Sequence, residues 1–66
     1  MLLSFIIPTF NSSKTIEISL FSILNQKIKD YEIIVVDDKS TDGTVEIIKN
    51  IAKKYKNLYL YKNKIN

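Results

Sequence analysis

The sequence predicts an α/β domain in the order β-α-β-α-β, built on a three-stranded parallel sheet. Two observations carry that prediction. Ile33-Ile34-Val35-Val36 is a continuous apolar, β-branched run, the pattern of a buried parallel strand rather than of a half-solvated one. Stretches with helical spacing of apolar residues stand on both sides of it, each linked to a further short apolar run. That alternation calls for parallel strands joined by right-handed crossovers.

The central run stops at Asp37 and Asp38, and Lys39-Ser40-Thr41-Asp42-Gly43-Thr44 then leads into the second helical stretch. Ligands of open α/β sheets bind beyond the carboxyl ends of the strands. The acidic pair is therefore the candidate site.

Leu2-Leu3-Ser4-Phe5-Ile6-Ile7 reads as the first strand. Pro8 is expected to end it, because proline has no N–H and fixes φ. Thr9 to Ser13 is turn chemistry, with Asn11, Ser12 and Ser13 able to cap a helix. A helix is predicted over Ser13 to Gln26, its inner stripe made by Ile16, Leu20, Ile23 and Leu24 while Lys14, Glu17 and Ser22 face outward. Lys27 to Asp30 connects to the central strand. Beyond the acidic pair, Ser40 or Thr41 is expected to cap the second helix, with Asp42 in its first turn. Gly43, the only glycine, is expected to serve a close approach or an unusual φ. Val45, Ile48, Ile51, Ala52 and Tyr55 form the second inner stripe, to about Lys54. Leu58-Tyr59-Leu60-Tyr61 is the third strand.

Composition excludes several classes of function. A chain of 66 residues holds at most one small domain, near the size where its own core becomes marginal. It has no cysteine and no histidine, which removes thiolate metal sites, disulfides and the commonest general base. All ten basic residues are lysine, for a net charge of +3. Without arginine, the usual bidentate reader of guanine and phosphate, a nucleic-acid function is disfavoured. Lys53, Lys54, Lys56, Lys62 and Lys64 form a loose cluster, read as a solvated surface with an anion or membrane-surface patch as the alternative. Nothing is apolar enough to span a membrane, and Met1 to Pro8 lacks the marks of a signal peptide. A cytoplasmic location follows by default.

The simplest strand order is 3-2-1, and right-handed connections then put both helices on one face of the sheet. The other face would carry apolar side chains with nothing over it, and the first strand would be an open apolar edge. More polypeptide of the same domain, or a partner chain, is expected to cover that face.

The residues resemble a known family. Ser4-Phe5-Ile6-Ile7-Pro8-Thr9-Phe10-Asn11 is similar to the opening S-hydrophobic-I-I-P-T-[YF]-N of the family 2 glycosyltransferases. Ser19-Leu20-Phe21-Ser22-Ile23-Leu24-Asn25-Gln26 resembles its S-L-x-S-[IVL]-L-x-Q. Tyr31 to Thr44 resembles its E-I-I-V-V-D-D-G-S-x-D-G-T almost position for position, with Lys39 standing where glycine or asparagine is frequent and Phe10 in place of the commoner tyrosine.

The resemblance implies a GT-A fold, of which residues 1–66 would be the Rossmann-like, nucleotide-binding half, cut before the metal-binding D-x-D motif. It implies transfer of a sugar from a nucleoside-diphosphate sugar, most simply a UDP-sugar, to a saccharide or lipid-linked acceptor hydroxyl with inversion. Such enzymes build envelope polysaccharides, so a peripheral seat on the inner membrane face is the alternative location. By the same resemblance Pro8 and Thr9 lie against the base and ribose, Asp38 accepts the base imide N–H, and Asp37 is the supporting carboxylate. A divalent metal, Mg²⁺ or Mn²⁺, would neutralise the leaving diphosphate in the full-length enzyme, its ligands and the catalytic base lying outside this chain. The adjacent Asp37-Asp38 pair is not itself a D-x-D site. Asn11 and Asp42 read as structural residues, and a donor such as Lys39 or a backbone N–H is expected to keep both carboxylates ionised.

Three rival readings remain. The 66 residues could be an inactive remnant or an interaction module that pairs with another chain. A receiver-like signalling domain would carry its acidic pair after the first strand, which here ends in Pro-Thr-Phe-Asn. Tyr55, Tyr59 and Tyr61 could stack on RNA bases, but that use favours an antiparallel sheet with arginines alongside; packing at the sheet edge or against the missing half of the domain is expected instead.

Overall fold

The computed structural model describes residues 2–63, and Lys64 of the lysine cluster lies outside them. The elements run β1 (Leu3–Thr9), α1 (Ile16–Leu24), β2 (Tyr31–Asp37), α2 (Thr44–Ala52) and β3 (Leu58–Lys62). The strands are parallel in the order β1-β2-β3, as the crossover argument requires.

Register sorts every strand residue to a face. Phe5, Ile7 and Thr9 pair with Ile33, Val35 and Asp37, and these with Leu58, Leu60 and Lys62. Both helices pack on this side, where Ile33, Val35 and Leu58 join Ile16, Leu20, Ile48 and Ile51 in the core. Phe21 of α1 meets Tyr55 edge-on at 5.9 Å, so Tyr55 packs between the helices rather than at the sheet edge. The other face carries Ile6, Val36, Tyr59 and Tyr61, which are 68%, 36%, 46% and 58% exposed. Among the described residues no element covers it. The unbroken apolar run of β2 is thus buried on one side only.

Pro8 does not end β1; the strand runs on to Thr9. The Leu3 N–H donates to the Asp30 carbonyl and the Thr9 carbonyl accepts from the Asp38 N–H. Odd-numbered residues therefore bond to β2, and the nitrogen of Pro8 faces the unpaired edge, where no donor is needed. Both helices are shorter than the sequence predicts. The Ser12 and Ser13 N–H groups are taken by Thr44 and Asp42 side chains across the sheet end, leaving Thr15 as N-cap of α1 without a side-chain cap. Asn25 and Gln26 only close its last turn.

Gly43, at φ −83°, is the N-cap of α2, and a Cβ there would meet nothing within 4 Å. It serves neither a close approach nor a left-handed turn. Ser40 and Thr41 do not cap α2, and Asp42 precedes that helix rather than sitting in its first turn, which carries Glu46. The polar residues between 37 and 44 are engaged in a different task.

Candidate functional site

That task is to organise the carboxyl end of the sheet. Asp37 is only 1% exposed and ends β2 on the helix side. Its Oδ1 accepts hydrogen bonds from the Thr9 hydroxyl at 2.7 Å and the Ser40 hydroxyl at 2.6 Å, and its Oδ2 accepts from the Ser40 N–H at 2.9 Å. Burial pushes this carboxyl up, but the bonds from Ser40 and Thr9 outweigh it and hold the group below the ordinary carboxylate value. Asp37 is therefore a buried, ionised carboxylate with its donors already in place. Those donors are hydroxyls and a backbone N–H; Lys39 is in none of these bonds.

Asp38 is built the opposite way. Its backbone N–H extends the sheet onto the Thr9 carbonyl at 2.9 Å, while its side chain is exposed. The Asn63 amide reaches its Oδ1 at 3.3 Å, and the Asn63 N–H donates to the Asp37 carbonyl at 2.8 Å. One neighbour thus leaves most of the Asp38 carboxylate open to solvent. Lys39 follows in the left-handed region at φ 58°, which costs a side chain roughly 1 kcal/mol or more and which glycine enters freely. This turn swings Ser40 back onto Asp37.

A second loop, between β1 and α1, is tied to the first. The Asn11 N–H donates to Ser40 Oγ at 2.8 Å, and Asn11 Oδ1 accepts the Thr41 N–H at 2.8 Å. Ser12 N–H donates to Thr44 Oγ1 at 2.8 Å and Ser13 N–H to Asp42 Oδ2 at 3.2 Å. Asp42 Oδ1 also accepts from the Thr44 hydroxyl and N–H. The Thr44 hydroxyl is the largest influence holding the Asp42 carboxyl down, to about 2, helped by the Thr44 and Ser13 N–H groups.

Of the four residues expected at the site, the strand ends bring Thr9, Asp37 and Asp38 together. The Thr9 side chain is buried and turned to Asp37, whereas Pro8 is exposed one residue earlier, on the open face of the sheet. Sequence reasoning missed Asn63, whose placement depends on β3 pairing beside β2; no local pattern announces it. For a metal the residues present do not fit. Among the described residues no three Asp, Glu, His or Cys side chains cluster as a donor set, and both oxygens of Asp37 are occupied by protein donors.

The profile of glycosyl transferase family 2 matches residues 4–66. A poly(ribitol-phosphate) beta-glucosyltransferase of Bacillus spizizenii is 43% identical over 68 residues, which is 100% of this chain and 11% of that protein. A GalNAc(5)-diNAcBac-PP-undecaprenol beta-1,3-glucosyltransferase of Campylobacter jejuni is 49% identical over 51 residues, 77% of this chain and 16% of the relative. The crystal structure of S. aureus TarS 1-349 in complex with UDP superposes with a TM-score of 0.87 at 38% identity, over 100% of this chain and 20% of that one. The chain thus spans a fifth or less of each of these three proteins. The fold is the Rossmann-like part of a GT-A domain, as the resemblance implied.

Proposed function

This chain belongs to glycosyl transferase family 2, and on that premise we propose that it is the nucleotide-binding part of a nucleotide-sugar-dependent glycosyltransferase. The whole enzyme moves a sugar from a nucleoside-diphosphate sugar, most simply a UDP-sugar, to an acceptor hydroxyl with inversion. The acceptor proposed is a polyol-phosphate polymer or a lipid-linked saccharide, by analogy with the Bacillus and Campylobacter relatives. The work is done on the cytoplasmic side of the membrane.

The observation that carries this reading is the division of labour between adjacent carboxylates in a chain that superposes on a UDP-bound structure. Asp38 offers an exposed anionic acceptor at the carboxyl end of the central strand, suited to the imide N–H of uracil. Asp37, ionised and saturated, fixes the strand end and the turn that presents Asp38. Pro8 and Thr9 border the same end, Thr9 acting through its bond to Asp37 and through its carbonyl. Family membership is consistent with use of a divalent metal such as Mg²⁺ or Mn²⁺. The described residues do not supply its site. The exposed sheet face is where the remainder of such a domain, or a partner chain, packs.

The test is an NMR titration of the ¹⁵N-labelled chain with UDP in the absence of metal. Weak binding is expected, with shifts concentrated at 9–11 and 37–41, and Asp38→Asn should weaken it about tenfold, the loss of one charge-assisted bond. Absence of any shift at millimolar UDP would overturn the reading. Sugar transfer by the 66-residue chain alone is expected to be undetectable, measured with a radiolabelled UDP-sugar.

A further inference from the structure

The bonds between the two loops at the sheet end are more than helix caps. Asn11 stands at φ 46°, a left-handed conformation that asparagine tolerates better than most side chains. From there it makes a reciprocal exchange with the facing loop: its N–H goes to Ser40 Oγ, and its Oδ1 takes the Thr41 N–H. Ser40 Oγ passes the connection on to Asp37 Oδ1, which also holds Thr9. Residues 9, 11, 37, 40 and 41 form one hydrogen-bonded circuit that encloses Asp38 and Lys39 without using the Asp38 side chain. Of the members whose side chains make these bonds, Asn11 is the exposed one.

We infer that Asn11 is a positioning residue for the nucleotide site, clamping the 37–41 turn so that Asp38 is held in one orientation towards the base. This rests on the nucleotide-binding reading and deepens it. A turn pinned only by Asp37 would be anchored at Ser40 but free at Thr41. The Asn11 bond fixes the exit of the turn as well, so that Asp38 loses less conformational freedom when it binds. A ligand pays for ordering only once, and here the loop is ordered beforehand.

Three variants of the 66-residue chain separate this role from a merely structural one. Asn11→Gly removes the side-chain bond while keeping the φ comfortable. Asn11→Asp keeps both the acceptor and tolerance of the left-handed region. Ser4→Ala is the control, breaking the exposed Ser4–Glu32 hydrogen bond near the other end of the sheet. Amide exchange, thermal midpoint and UDP affinity are measured on each, at about 0.15 M salt to screen the added charge.

In Asn11→Gly the Thr41 amide should exchange several-fold faster and UDP affinity should fall about fivefold, the worth of one hydrogen bond. Asn11→Asp should recover most of both, and Ser4→Ala should leave affinity unchanged. Fast Thr41 exchange with undiminished UDP affinity in Asn11→Gly would overturn the positioning role while the nucleotide reading stood. Affinity that merely tracks the thermal midpoint across all three variants would overturn it too. If the unsubstituted chain does not bind UDP at millimolar concentration, the nucleotide reading fails first and takes this role with it.

Discussion

The two faces of the sheet are made of the same kinds of residue and have opposite fates. On the helix side Ile33 and Val35 are fully buried, while one position along on the other side Val36 is 36% exposed and Ile6 on the neighbouring strand is 68% exposed. At the carboxyl end the contrast continues in polar form. Asp37 points to the helix side and takes three donors on its two oxygens; Asp38, the next residue, faces solvent and, among the described residues, accepts from the Asn63 amide alone. A period of two along an extended chain separates the inward side chains from the outward ones here. The inward residues hold the fold, and the outward ones are left for something else to bind.

The strongest way to break that comparison is at its inner side. Ile33→Ala removes a wholly buried side chain contacting both helices' core residues, and should cost about 3 kcal/mol. A domain this small holds roughly 5 kcal/mol or little more. A urea melt should therefore show the variant still folded in water, with its midpoint cut to about half that of the parent or less. A loss under about 1 kcal/mol would mean that the helix face is not the true core.

Asp37→Asn sharpens the polar half of the contrast. Asparagine keeps a single acceptor oxygen and sets an amide against the Thr9 and Ser40 donors, so about 2 kcal/mol should be lost. The same substitution at Asp38 should leave the melting midpoint within about 0.5 kcal/mol of the parent. Equal effects at both positions would erase the distinction drawn between them.

Acid should erode this end of the sheet first. The folded-state values of Asp37 and Asp42 both lie below the ordinary 3.8, that of Asp42 at about 2. A depressed carboxylate stabilises the fold fully above its unfolded value and loses that contribution as pH falls through the folded one. Stability should thus be flat above pH 5 and decline between pH 3.8 and about 2. Asp42→Asn should make the decline shallower, as circular dichroism melts across that window would show.

How much of this was legible in the sequence follows from how local each cause is. The strand order, the single helix layer and the bare face all come from apolar runs, their spacing and the handedness of crossovers, so they could be read directly. The acidic pair could be found for the same reason: it ends the one unmistakable strand. The roles of the two carboxylates were assigned by resemblance alone; that Asp37 lies inside and Asp38 outside depends on which face the helices cover. Pro8 was misread because edge position depends on which strand lies beside it, not on proline itself. Ser40 and Thr41 looked like caps for the helix that follows them and Asp42 like a residue of its first turn; Ser40 and Thr41 bond instead to Asp37 and to a loop about thirty residues away in sequence, and Asp42 bonds both to that loop and to Thr44. Asn63 was invisible for the same reason. Tertiary partners decide such positions, and local pattern carries no record of them.

The smallest expected effect tests the outer side. Ile6 lies on the edge strand β1 and faces away from both helices, with a serine and a proline as its neighbours on that face of the strand. Ile6→Ser removes apolar surface that the fold leaves in water, so the denaturation midpoint should move by no more than about 0.5 kcal/mol in either direction. Light scattering by concentrated samples should fall, since an exposed apolar edge invites pairing between chains. If Ile6→Ser instead costs as much as Ile33→Ala, the face is covered in solution, and the dependence of the midpoint on protein concentration names the cover. A midpoint that rises with concentration in the parent but not in the variant would mean that two copies shield each other there. A midpoint independent of concentration would mean that the sheet has closed on its own chain, and the two faces would no longer differ.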